Sequence, residues 1–213
     1  ISWFIFVQNK RMLKQEIQWV SDSFGASIWA TDITPTNLWS AYATSDPITD
    51  IETGKTTILK NTGFLPNTLV LGYETFVKVK HHPDIIDRIS GGATNASPAM
   101  AGEELLARIF GVDRVLVAMA VKNTGNEGET NSFAFTHGKH ALLCYVNPSP
   151  GLLAPSAGYT FQWTGVSEWM GTAIGISRFR MEELKADRVE GQIAFDNKIV
   201  ATDLGYFFAS VVA

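Results

Sequence analysis

The sequence predicts an α+β fold, and three observations predict it. Ser45 to Val79 reads as helix, strand, helix with sharp punctuation. Arg114 to Val146 holds short apolar runs around turns. Beyond Pro155 the pattern changes to alternation of period two, the mark of strands.

Taken in order, Ile1 to Val7 is an apolar start, too short to span a bilayer and without a basic leader, and it reads as an element cut in the middle. Lys10 to Phe24 predicts a helix: Leu13, Ile17, Val20 and Phe24 recur at helical spacing, and Gly25 is its expected stop. Ile28 to Ile33 predicts a strand before Thr34-Pro35. Leu38, Trp39 and Tyr42 form an aromatic patch leading to the nucleus. There Asp46-Pro47 starts a helix: an Asx cap precedes a ring whose fixed φ suits the first helical position. Ile48, Ile51, Ile58 and Leu59 make one stripe, and Gly63 and Pro66 stop it. Thr68 to Leu71 is short and apolar, a strand expected to be covered on both faces. Tyr73 to Val79 predicts the next helix.

His81 to Ile89 predicts a helical segment with Pro83 in its first turn. Gly91 to Ser97 reads as a loop, and Ser97-Pro98 as the start of a helix whose buried side is Leu105, Leu106, Ile109 and Phe110 and whose stop is Gly111. Arg114 to Val121 predicts a strand, Asn123 to Asn131 a turn, and Phe133 to Phe135 and Ala141 to Val146 strands around a His137-Gly138 turn. Pro148 to Pro155 is a connector inside the fold. Tyr159 to Trp163, Ile174 to Met181, Arg188 to Phe195 and Tyr206 to Val212 complete the β part.

A chain of 213 residues suits one domain or two intimately joined subdomains. Charged residues are 18% of it, below the usual quarter, which points to a surface partly covered by partners. The net charge of −4 argues against a duplex-binding groove, which needs clustered cations, and leaves loose contact with nucleic acid open. Cys144 is the single cysteine, so the chain holds no internal disulfide and no zinc set, and a reducing compartment suits it.

The sequence offers no catalytic, cofactor-binding or metal-binding residue set. Glu52 to Thr57 (ETGKTT) resembles the end of a phosphate loop, but Thr49 stands where the motif needs glycine and the stretch lies inside a predicted helix; a solvated helix face is the expectation. His81, His82, His137 and His140 read as helix-end or turn histidines, and Cys144 as a buried small hydrophobe. No Gly-x-Ser-x-Gly elbow is present. Asn95-Ala96-Ser97 matches a glycosylation sequon by chance composition. The informative polar feature is a ladder of mixed sign: Arg178, Arg180, Glu182, Glu183, Lys185, Asp187, Arg188 and Glu190. Mixed signs along extended strands make a self-complementary edge between identical copies, or else an ordinary exposed ribbon.

These residues also carry a resemblance. WSAYATSDPITD (39–50), PNTLVLG (66–72), HPDIIDRI (82–89), FGVDRVLVA (110–118), PGLLAPSAGYTF (150–161) and the stretch 178–208, in that order, resemble the major capsid protein of tailed bacteriophages and prophages from about Arg11 to the end. The resemblance implies the Hong-Kong-97 capsid fold. Residues 1–45 would hold the spine helix and the start of a peripheral subdomain, 46–147 an axial α/β subdomain, and 148–213 the β-rich return to the peripheral part. Such proteins carry an N-terminal arm and extended loop before the spine helix; this chain has almost nothing there, which implies a truncated sequence. The implied function is structural and not enzymatic: hexamers and pentamers of an icosahedral shell around double-stranded DNA, in the virion, assembled in the bacterial cytoplasm. The implied partners are copies of itself, with portal, scaffold or decoration proteins as candidates, DNA through non-specific contact, and no membrane. The loops at 91–97 and 123–131 would meet at ring centres, and the ladder Arg178 to Glu190 would meet neighbouring capsomers. Two rivals predict otherwise. An encapsulin-like compartment would enclose enzymes, and a small α/β hydrolase or nucleotide-binding enzyme would show a polar cleft.

Overall fold

The computed structural model describes residues 2–90, 102–151, 153–163, 165 and 175–213. Its centre is a five-stranded mixed sheet in the order β1-β11-β6-β2-β3. These strands are β1 (Thr31–Ile33), β2 (Thr68–Gly72), β3 (Arg114–Ala118), β6 (Ala141–Cys144) and β11 (Gly205–Phe208). β2 runs parallel to β3 and antiparallel to β6, with Leu69 opposite Val115 on one side and Leu143 on the other. Every residue of β2, β6 and β11 is buried, which is why these runs are apolar without alternation.

Helix α2 (Pro47–Thr62) begins as expected. One Asp46 carboxylate oxygen accepts from the backbone N–H of Ile48 and of Thr49, each at 3.1 Å, satisfying donors a helix start leaves free. Gly63 ends it at φ 78, a left-handed cap. α2 lies on one face of the sheet: a Cβ on Gly54 would stand 3.3 Å from both Leu143 and Phe208. Ile48, Ile51 and Ile58 are buried there, but Leu59 is 44% exposed because the last turn stands clear of the sheet. α3 (Tyr73–Lys80), α4 (Pro83–Ser90) and α5 (Glu103–Phe110) follow, and α5 is capped by Gly111 at φ 59. The other sheet face meets Phe24, whose ring is edge-on to Phe207 at 5.4 Å, and Trp29, packed on Gly205.

The remaining strands form ribbons. β4 (Val121–Asn123) pairs with β5 (Phe133–Phe135). β7 (Gly158–Gln162) pairs with β10 (Phe195–Ile199), and β8 (Gly175–Met181) with β9 (Ala186–Gln192). Gln162 stands opposite Phe195 and Gly175 opposite Gln192. Only 193–194 separate β9 from β10, so the two pairs are one long antiparallel ribbon with an insertion on the β7–β8 side. Helix α1 (Ser2–Ser23) lies along this ribbon. Val7 faces Gly191, and Asn197 donates to Asp22 at 3.0 Å. Val7 to Asp22 rises about 22 Å and Gly191 to Asn197 extends about 20 Å, so helix and strand keep pace.

Several sequence expectations change. The helix starting at 10 extends back to Ser2. Gly25 is not its left-handed cap; the positive φ nearby belongs to Ser27. The strand at 28–33 shrinks to Thr31–Ile33, since Trp29 is buried against Gly205. The run 114–121 breaks into β3 and β4 at Met119-Ala120, where the Ala120 carbonyl turns to accept from Thr136. β5 and β6 flank the His137-Gly138 turn without pairing; β6, wholly buried, enters the central sheet between β11 and β2. β11 also joins that sheet and not the β7–β10 ribbon. The readings at 91–101, including the loop, the Ser97-Pro98 start and the sequon, lie outside the described residues.

Candidate functional site

The ETGKTT stretch sits inside α2, so its backbone N–H groups serve the helix and hold no phosphate. Glu52, Thr53 and Thr56 face solvent as expected, but Gly54 and Lys55 do not. Lys55 is buried, and its Nζ donates to the Phe110 carbonyl at 2.9 Å and to Glu52 at 3.0 Å. The cation thereby caps the C-terminal end of α5, where exposed carbonyls and the helix dipole favour positive charge. Lysine types at α2 gave no sign of this, because the partner lies in another helix.

The histidines are interior groups. His82 is fully buried, with Ser45 Oγ 3.0 Å from Nε2 and Asp84 Oδ2 3.6 Å from Nδ1. These are the residue types of a hydrolytic triad, and no sequence spacing announced them. Their hydrogen bonds run the wrong way for catalysis. The Asp84 backbone N–H donates to Nδ1 at 3.3 Å, which places the ring proton on Nε2; Nε2–H donates to Ser45 Oγ, and Ser45 donates onward to the Ala41 carbonyl at 2.9 Å. That tautomer offers the serine a donor and no base, and the chain of bonds ties the 41–45 turn to α4. His137 is buried between α1 and the turn before β6. Phe24 is edge-on to it at 4.8 Å, Trp19 lies at 5.7 Å, Thr136 Oγ1 is 3.0 Å from Nδ1 and Glu16 Oε1 is 3.7 Å away. Burial pushes its pKa down to about 4 and lowers that of His140 as well. Burial pushes the Cys144 thiol up to about 12, so it packs as a hydrophobe. Among the described residues, no group of three or more His, Cys, Asp and Glu side chains is placed to hold a metal, and no helix is long and apolar enough to cross a membrane.

The charge ladder falls on the β8–β9 end of the ribbon. Arg178 and Arg180 are in β8, Glu182, Glu183 and Lys185 in the turn, and Asp187, Arg188 and Glu190 in β9. Direct cross-strand partners share a face, so Arg178, Arg180, Asp187, Val189 and Gly191 line the α1 side. Phe179, Arg188 and Glu190 line the other, where the Arg188 guanidinium lies 5.7 Å over the Phe179 ring. Asp187 bonds both Arg178 and Arg180, the latter at 3.4 Å, and these bonds hold its carboxyl below the usual range. Arg188 pairs with Glu190 at 3.8 Å and Arg180 with Glu182 at 3.8 Å. Among the described residues Glu183 and Lys185 make no ion pair. The ladder is thus paired inside one chain yet open to solvent: the Arg178 side chain is 71% exposed.

One surface went unread in the sequence. Val121, Phe133 and Phe135 share a face of the β4–β5 ribbon, and Tyr73 stacks on Phe135 at 5.4 Å. Phe133 is 69% exposed. The signal was present: Phe133 and Phe135 two apart in a strand must point the same way. Beyond them, Asn123 fixes the 123–131 turn by accepting from Gly125 and Ser132 and donating to Asn131.

No family model matches the chain. It is 27% identical over 174 residues to the major capsid protein of Burkholderia phage BcepMu, covering 79% of this chain and 52% of that one. It is 28% identical over 179 residues to the major capsid protein of Pseudomonas phage JBD67, covering 84% and 54%. The chain spans about half the length of these curated relatives. The crystal structure of a phage-related protein from Bordetella bronchiseptica RB50 matches its fold with a TM-score of 0.76 at 23% identity, covering 99% of this chain and 66% of that one. The two curated matches agree with each other and with the ordered motifs of the sequence: over about four fifths of its length this chain is similar to the major capsid proteins of two bacteriophages.

Proposed function

We propose that this chain is a head-shell subunit of a tailed phage, built on the Hong-Kong-97 plan and assembling into hexamers and pentamers of an icosahedral shell around double-stranded DNA. In this reading α1 is the spine helix and, with the β7–β10 ribbon, makes the peripheral subdomain. Residues 46–147 make most of the axial subdomain, its β4–β5 ribbon turned toward the ring centre. The mechanism is geometric: heterologous contacts close into rings, and rings tile a curved surface.

The observation that carries the proposal is the ribbon end at 177–190, almost wholly exposed on both faces in a chain whose curated relatives bear the name major capsid protein. A two-stranded ribbon in water is marginal by itself, and its ion pairs contribute only about 0–1 kcal/mol each. Neighbouring subunits would complete it. Electron microscopy of the full chain purified from an expressing bacterium tests this. Closed particles filled with nucleic acid in the infected host support it. Particles filled with enzyme cargo favour the nanocompartment reading, and a small oligomer with hydrolytic turnover overturns both.

A further inference from the structure

Among the described residues β9 pairs with β8 alone, so its other edge carries unpaired backbone groups. α1 does not cover that edge. A Cβ on Gly191 would point at Val7, 3.3 Å away, so α1 lies on the face of Val189 and Gly191, and alternation turns Arg188 and Glu190 away from it.

We propose that β9 pairs antiparallel with β9 of a second copy about a two-fold axis through Val189, setting each Arg188 opposite the second copy's Glu190. This deepens the shell reading and rests on it. The register follows from symmetry and charge. A two-fold axis perpendicular to the sheet keeps the same face uppermost in both copies, so opposed residues must lie an even number of positions apart. Centring the pair on Asp187, Arg188 or Glu190 sets a like charge against itself. Centring on Ala186 needs Lys185 extended, and Lys185 sits at φ 50 in the turn. Centring on Gly191 opposes Glu190 with Gln192 and pairs no charges. Val189 alone puts a neutral residue on the axis and opposite charges on both flanks, on the face α1 leaves open. The contact is isologous, joins two ribbons into one continuous sheet, and uses the charges for register more than for affinity.

The test uses the full chain. In V189C the two cysteines would face each other with Cα atoms about 4.5–5.5 Å apart, inside the range of a disulfide. Mild oxidation should give a covalent dimer that wild type does not, because Cys144 is buried. R188E and E190R, each setting like charges opposed twice, should weaken the association by about tenfold. The R188E/E190R double exchange should restore it. Melting curves of all three charge variants should match wild type, since these side chains are solvated. If particles form but V189C stays uncross-linked, or the double exchange assembles no better than the singles, the β9 contact is wrong and the shell reading stands. If wild type remains a single copy at every concentration, both fall.

Discussion

At the residue scale, three interior residues carry consequences that a surface reading would miss. Lys55 holds the Phe110 carbonyl, so Lys55→Met should leave that carbonyl unmet and cost about 1–3 kcal/mol in urea unfolding. Glu52→Gln, on the solvent side of the same cation, should cost less than about 1 kcal/mol. His137 makes stability depend on pH. Its folded pKa is about 4, below the ordinary 6.5, so the unfolded chain binds the proton more readily. Stability is therefore full above about pH 6.5 and falls as the pH drops toward 4. His140 shifts in the same direction and adds to the effect. Melting temperatures between pH 7.5 and 4 should show this fall, and His137→Gln should flatten it. Gly205 is a tight steric point: a Cβ there would sit 2.0 Å from the Trp29 ring. Gly205→Ala should destabilise by about 1–3 kcal/mol or more through forced repacking, read from denaturant midpoints. None of these residues declares itself in the chain. A lysine, a histidine and a glycine each acquire their role from a partner far along the sequence, which local pattern does not encode.

At the element scale, what local chemistry dictates was legible and what pairing dictates was not. Asp46-Pro47 and Gly63 bracket α2 because caps are decided within one helical turn. β2 was legible because a strand buried on both faces must be apolar throughout. The separation of β5 from β6 was hidden, since two short strands around a glycine turn have the same pattern whether or not they pair. The ladder at 178–190 shows both sides. Its charges and alternation read directly, and the hairpin then sorts them into two faces by register. Arg178→Glu with Arg180→Glu opposes both to Asp187 and removes three exposed ion pairs, the one to Glu182 included. Particle yield should drop by about tenfold or more while the melting temperature of the free subunit moves little, because exposed pairs contribute little to folding. Normal yield from this double variant would remove the ladder from the assembly surface.

At the scale of the whole molecule, the chain divides its labour between a packed sheet that holds shape and a long ribbon with its helix that reaches outward. The sheet buries Leu69, Leu71, Leu142, Leu143, Phe207 and Phe208, while the ribbon leaves Phe161, Trp163, Phe179 and Leu184 in solvent. A monomer keeps few such side chains exposed together unless a partner covers them. In the interior the Ser45–His82–Asp84 bonds tie the 41–45 turn to α4, and the cysteine is sealed in β6. The central claim is that this chain exists to contact copies of itself. Sedimentation velocity of the full chain over a range of concentrations tests it most directly. Above a threshold concentration the boundary should jump from single subunits or capsomers to closed particles, with little between. One slow boundary of single-subunit mass at every concentration would contradict it.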